Sequence, residues 1–283
     1  QLVRLPNIFT STSDILAGCI LATHAFIDIY KILLLVIISA CLYGGGIVFN
    51  DVFDITTDET ERPDRPLPSG NISKRDALYL GVILFLTALL CACLVNATSV
   101  CISIVIIALI MSYNAWTKTV PAIGTLNMGL CRFFNLMLGL SIIPASISTY
   151  WMFPLILMIY VMLITALSKQ EVKGEQRWKI VCVITCFIGL VFFTGSLSVK
   201  GILPNHAMHG LLFIFTLIVL WPMGKAVINP CPKSIQSTIK TMVLSIIILD
   251  ACFVMGATNG LHALVVLALL VPAYIISRFL YVT

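Results

Sequence analysis

Long uncharged apolar runs alternate with short polar breaks along the whole chain. Each run is roughly 18 to 22 residues, enough for a helix to cross a hydrocarbon core of about 30 Å. The breaks place spans near 10–29, 32–50, 76–95, 98–115, 124–143, 150–168, 178–199, 206–226, 237–257 and 260–281. Lipid admits only structures that satisfy their own backbone hydrogen bonds, so the pattern predicts an all-α polytopic transmembrane bundle of nine or ten spans. The breaks themselves are built to turn. Pro63, Pro66, Pro68 and Gly70 interrupt helix between the second and third spans, and Ser73 followed by Asp76 reads as a helix-starting cap.

Composition agrees with the pattern: of 283 residues, 60% are apolar and only 10% charged. A soluble domain carries roughly 25% charged residues, so a soluble globular fold is excluded, and 1–283 reads as a single membrane domain. The first run contains Asp14, lacks a clustered basic start and leads straight into further spans, unlike a cleavable signal peptide. Nine of the ten cysteines lie inside apolar runs without metal-ligand spacing and read as small packing residues.

Charge orients the bundle. With ten spans, segments 51–75, 116–123, 169–177 and 227–236 share a side with both termini, and that side with its adjoining span ends holds 14 of the 17 Lys and Arg residues. Lys31 and Lys200 lie opposite, and Arg132 lies inside a span. Cationic loops stay in the cytoplasm, so these loops and both termini are expected there, in a bacterial inner membrane. The net charge of +5 is then a topology signal, and no basic patch interleaved with aromatics points to nucleic acid.

The candidate chemistry gathers on the same side. Segment 51–75 is far longer than the connections opposite, as expected of a lid or binding loop. At its start Asn50, Asp54 and Asp58 are spaced four apart, which on a continuing helix lines them along one face at intervals of about 6 Å. Either they are solvated charges at a helix end, or they bind a hard divalent cation such as magnesium, which takes carboxylates, phosphates and water. Acidic side chains at a helix C-terminus oppose its dipole and repel each other, which favours the cation. A second acidic pair at the same spacing, Glu171 and Glu175, follows the sixth span. Asp54 and Glu171 lie 117 residues apart, which suggests two related four-helix blocks facing each other across two metal ions and one diphosphate.

Asn50-Asp51-x-x-Asp54-x-x-x-Asp58 followed by Arg62-Pro-Asp-Arg65-Pro-Leu-Pro-Ser-Gly70 resembles the first signature of the UbiA-type intramembrane prenyltransferase superfamily, with every signature position present. Tyr113 and Lys118 after the fourth span, Arg132 and Asn135 in the fifth, and the second acidic motif also match in order, so the resemblance covers nearly the whole chain. It implies a helical bundle around a lipid-open central cavity and a magnesium-dependent enzyme. That enzyme would transfer the prenyl chain of a prenyl diphosphate donor to an acceptor, here unidentified, within the lipid bilayer. By the resemblance, Asn50, Asp54 and Asp58 bind one magnesium ion and the donor, with Glu171 and Glu175 completing a second metal site. Lys118 and Arg132 neutralise the departing diphosphate, and Asp51, Arg65, Tyr113, Asn135 and Lys169 contact substrate. Phe49, Phe53, Tyr113 and Phe133 either stabilise a carbocation or simply pack.

The second motif departs from the family's usual aspartates: it has Glu171 and Glu175, with Ser168 where a third aspartate often stands. The Val172-x-Gly174-Glu175 tail is closest to the arm containing tocopherol, chlorophyll and archaeal ether-lipid enzymes, which disfavours 4-hydroxybenzoate prenylation. Arg4-Leu-Pro-Asn7 with Asp14 also resembles the UbiA-like member of the bacterial ebo gene cluster.

Ionisable groups inside a membrane need a partner or a wet cavity. Asp14 either lines the acceptor pocket or pairs within the bundle. Arg132 either pairs with a buried acid or binds diphosphate, and Asp250 either packs or touches an acceptor. Two other functions fit parts of the pattern. A terpene cyclase of the same fold needs the metal site without an acceptor; a transporter or lipid-binding protein would spread its charges near the bilayer midplane.

Overall fold

The computed structural model describes residues 5–25, 28–168, 177–199, 202–258 and 260–279, and among them every regular element is helical. The first half comprises α1 (Leu5–Thr23), α2 (Ile29–Phe53), α3 (Ile55–Glu61), α4 (Lys74–Val95), α5 (Ala97–Ala115), α6 (Pro121–Leu140) and α7 (Ser146–Tyr150). The second comprises α8 (Met152–Ser168), α9 (Arg177–Val199), α10 (Met208–Ile228), α11 (Pro232–Leu244), α12 (Ile246–Ala257), α13 (Gly260–Ala268) and α14 (Leu270–Phe279). Eight units among the described residues are long and apolar enough to cross a membrane: α2, α4, α5, α6, α9, α10 and the nearly continuous pairs α11–α12 and α13–α14. Helix α8 is apolar but shorter, at 17 residues.

Helix α1 begins earlier than its apolar run implies, at Leu5 rather than near residue 10. Thr10, Ser11, Ser13 and Asp14 lie in its second and third turns and are buried in the bundle. Beyond Thr23 the chain turns through left-handed conformations at His24 and Asp28, with φ of 56° and 60°. Asp28 caps α2 by accepting from the Lys31 amide and pairs with its ammonium at 2.9 Å. The side-chain bond from Lys31 holds the Asp28 carboxyl below its ordinary range. Ser73 caps α4 as expected, accepting from the Asp76 amide at 3.1 Å and donating to its carboxylate at 2.7 Å.

Two glycine contacts set how the helices cross. A Cβ on Gly18 of α1 would lie 2.6 Å from the Leu136 carbonyl oxygen and 2.8 Å from Gly139 Cα, so α1 and α6 touch backbone to backbone. In α2 and α4, Gly45 receives the Phe85 ring and Gly81 receives Phe49, and the two rings stack at 5.1 Å. Glycines at the crossings permit this close approach, which gives helices in lipid their packing attraction.

Two large apolar cores and two smaller clusters result. One large core joins α1, α2, α4, α5 and α6, and the other joins α8 to α12 with the end of α6. Helix α1 stands between the two halves, packing on α2, α6 and α12. In the second core Tyr160 is fully buried against Phe187 and Phe215, and its hydroxyl reaches Ser245 Oγ and the Met242 carbonyl where α11 passes into α12. The final pair breaks at Leu269 because Pro272 has no amide hydrogen for the helical bond to Ala268. Nor do all the intramembrane cysteines pack inward: Cys19 and Cys252 are buried, whereas Cys93, Cys101, Cys182 and Cys186 are exposed on the outer surface of the bundle.

Candidate active site

Helix α2 ends in the sequence that carries the first acidic cluster. Asp54 leaves helical geometry slightly, at φ −92° and ψ 4°, yet its amide still bonds the Asn50 carbonyl at 2.9 Å. The Asp58 amide in turn bonds the Asp54 carbonyl at 2.8 Å, so the four-residue register survives the bend into α3. Asn50, Asp54 and Asp58 therefore open onto one cavity of about 590 Å³. Asp51 is not among its lining residues; it pairs with Arg65 at 3.3 Å.

The loop after α3 closes back over this face. Leu67 is buried against Val48, Val52 and Ala77, which anchors the segment between α2 and α4. That anchor lets Arg65 reach Asp58 at 2.6 Å while also holding Asp51. From the other side Lys118 stands on the single helical turn Thr117–Thr119 and pairs with Asp54. Asn127 secures the turn by donating to Thr117 Oγ1 at 3.1 Å and Ser112 Oγ at 2.9 Å. The Asn50 amide donates to Asp54 and to buried Asn114. Asp54, Asp58 and Glu61 thus face Lys118, Arg62 and Arg65 around the mouth, with three charges of each sign.

Tyr113 at the end of α5, and Arg132 and Asn135 well inside α6, also line the cavity. Arg132 bonds Asp14 at 2.9 Å and Thr10 at 2.7 Å, and Asp14 is fully buried and does not line the cavity. Arg132 therefore pairs with a buried acid, as one of its two readings expects, and also faces the cavity. Asp250 is also fully buried, accepting from Ser13, so it packs and pairs. Of the four candidate aromatics only Tyr113 lines the cavity. Phe49 is stacked on Phe85, Phe133 meets Phe134 edge-on, and Phe53 is exposed.

Glu171, Glu175 and Lys169 lie outside the described residues. Among the described residues no group of three His, Cys, Asp or Glu side chains could hold a metal. Asn50, Asp54 and Asp58 offer two carboxylates and an amide oxygen, which fits a hard cation whose remaining positions are filled by phosphate oxygens and water. The charge pattern singled out the mouth but missed the uncharged polar residues Asn7, Ser11, Ser39 and Asn114, which also line the cavity. The spacing of Asn7, Ser11 and Asp14 marks a polar stripe on one face of the first span and was the available signal.

Residues 14–174 match the model of the UbiA prenyltransferase family. The chain belongs to that family. Among curated relatives, the digeranylgeranylglyceryl phosphate synthase of Sulfurisphaera tokodaii is 30% identical over 181 residues, a match spanning 63% of each chain. The synthase of the same name from Thermococcus sibiricus is 26% identical over 81% of this chain and 85% of its own. Among solved structures, the apo UbiA homologue of Aeropyrum pernix K1 superposes with a TM-score of 0.73 at 14% identity, covering 88% of this chain and 97% of that one. A UbiA homologue of Archaeoglobus fulgidus bound to DMAPP and Mg2+ superposes at 0.66 and 15% identity, covering 95% and 99%. The bundle described above is thus the UbiA fold, as the motifs of the second and sixth span ends imply.

Proposed function

We propose that this protein is a magnesium-dependent UbiA-type prenyltransferase that takes the prenyl chain from its diphosphate and passes it to an acceptor inside the membrane. One observation carries the reading. A single cavity joins the Asn50, Asp54 and Asp58 face, cationic centres at Lys118 and Arg132, and an inner wall that includes Ile106, Val161, Ile164 and Ile246. Such a cavity suits an amphipathic donor with a charged head and an apolar tail.

In this reading Asn50, Asp54 and Asp58 hold one magnesium ion, and Glu171 and Glu175 serve a second. The metal supplies charge neutralisation on the phosphoryl oxygens. Lys118 and Arg132 stabilise charge as it develops on the departing pyrophosphate, an effect strongest in a site poor in water. Arg65 holds Asp58, and through it the loop after α3 covers the mouth. The isoprenoid tail occupies the apolar wall while Tyr113 faces the reacting end. The names of the archaeal relatives, and the DMAPP and Mg2+ held by the Archaeoglobus fulgidus homologue, support this assignment. The acceptor enters from the bilayer, and the positive charge of the loops supports a mouth at the cytoplasmic face.

Purified protein incubated with geranylgeranyl diphosphate, magnesium and a membrane lipid extract tests the reading. Pyrophosphate release and a prenylated lipid are expected, and both are lost in Asp54→Asn and Asp58→Asn. A cyclised hydrocarbon formed without acceptor would replace transfer with cyclisation. Unchanged diphosphate consumption in both variants would remove the site itself.

A further inference from the structure

Behind the cavity wall lies a polar network that ties four helices together. Arg132 of α6 donates from Nη1 to Asp14 Oδ2 at 2.9 Å and from Nη2 to Thr10 Oγ1 at 2.7 Å. Asn135, one turn later, donates to the same Asp14 oxygen at 2.8 Å and to the Ser11 carbonyl at 2.9 Å, while its own oxygen accepts from Ser39 of α2 at 2.7 Å. Asp250 of α12 accepts from Ser13 at 2.5 Å. Asp14 and Asp250 are both fully buried and absent from the cavity lining, whereas Arg132 and Asn135 belong to it.

Stability alone does not account for this arrangement. Two carboxyls sealed in an apolar bundle carry a large desolvation penalty that one guanidinium at the cavity wall offsets only in part, and well-packed apolar residues would serve as well or better. What the network does provide is geometry. A guanidinium has five N–H donors in a rigid plane, and anchoring two of them on Asp14 and Thr10 fixes how the group meets the cavity. The Gly18–Gly139 contact lies one turn further along both helices and sets the distance at which Asp14 meets Asn135.

We propose that Asp14 and Asp250 are positioning residues: Asp14 holds the Arg132 guanidinium and the Asn135 amide in place on the cavity wall, and Asp250 braces Asp14 through Ser13 from the other half of the bundle. The inference rests on the prenyl-transfer reading above. Neither carboxylate touches substrate; each acts through Arg132 and Asn135.

The test is a set of double-mutant cycles read as kcat and KM for geranylgeranyl diphosphate. Asp14→Asn and Thr10→Val each remove one anchor of Arg132, and Asp250→Asn removes the brace. Asp14→Asn is expected to lower kcat about 100-fold, the cost of a small misplacement, with donor KM within about 3-fold. Thr10→Val, which changes neither charge nor bulk, lowers kcat about 10-fold, and Asp14→Glu restores part of the loss. In an Arg132→Gln background Thr10→Val no longer lowers activity, and Asp14→Asn and Asp250→Asn lower it only by the smaller share that passes through Asn135, because the guanidinium they position is gone. Full additivity in that background would overturn the proposal, as would losses that merely track the folded fraction seen in thermal unfolding. If Asp14→Asn does not fold, Thr10→Val decides by the same criterion. Active wild-type protein with unaffected variants would sink the positioning role alone; wild-type protein inert towards every prenyl diphosphate would sink the transfer reading and this inference with it.

Discussion

Lys118 and Arg65 both pair with carboxylates of the mouth, but their surroundings differ. The Lys118 and Asp54 side chains are 22% and 29% exposed, and a pair that wet contributes about 0–1 kcal/mol to stability. Lys118→Met should therefore leave the melting temperature almost unchanged while lowering kcat by about 10²- to 10³-fold, the usual cost of removing a group that stabilises developing charge. Steady-state kinetics beside a thermal melt separates the two effects. Asp58 is only 7% exposed, so deleting its partner strands a nearly buried carboxylate. Arg65→Ala is expected to cost about 1–3 kcal/mol in unfolding free energy and to raise the donor KM as the loop loosens.

Among the elements, the α1–α6 crossing carries the greatest constraint. Gly18→Ala drives a methyl group into the Leu136 carbonyl and Gly139 Cα, and backbone gives way far less readily than a side chain. A loss of about 1–3 kcal/mol follows, with activity falling as Asp14 separates from Asn135. Gly189→Ala on α9 is the matched control, since a Cβ there meets nothing within 4 Å, and it should melt with the wild type. Equal destabilisation by the two substitutions would show that the close crossing has no special standing. The Tyr160 hydroxyl is a second constraint of this kind, holding Ser245 and Met242 where α11 passes into α12.

For the molecule as a whole, orientation is the prediction that charge makes and the fold leaves open. Cys231 is exposed in the connection between α10 and α11, on the side assigned to the cytoplasm. In a variant retaining Cys231 alone, a membrane-impermeant maleimide should label inside-out vesicles and spare right-side-out ones. Labelling in the opposite sense would invert the topology and move the cavity mouth to the far face.

Much of this architecture was legible in advance because it is local. Span lengths follow from the hydrocarbon thickness, and the helix boundaries of α2, α4 and α5 fall within a few residues of the apolar runs. The register of Asn50, Asp54 and Asp58 is a property of helix pitch, so it survives the bend at Asp54. Less legible were the early start of α1 and the break before α14, because polar side chains turned inward and a proline within an apolar run both defeat a reading by hydropathy alone.

Taken by itself, then, the sequence determined the class of fold, the family and the acidic face, since each is encoded in covalent spacing and composition. Only the tertiary structure decided which polar groups meet the cavity and which are sealed behind it. Asp14 and Arg132 are 118 residues apart and equally anomalous in an apolar span. The crossing of α1 and α6 at Gly18 and Gly139 turns one to the cavity and buries the other, because helix rotation and approach are set by packing partners distant in the chain.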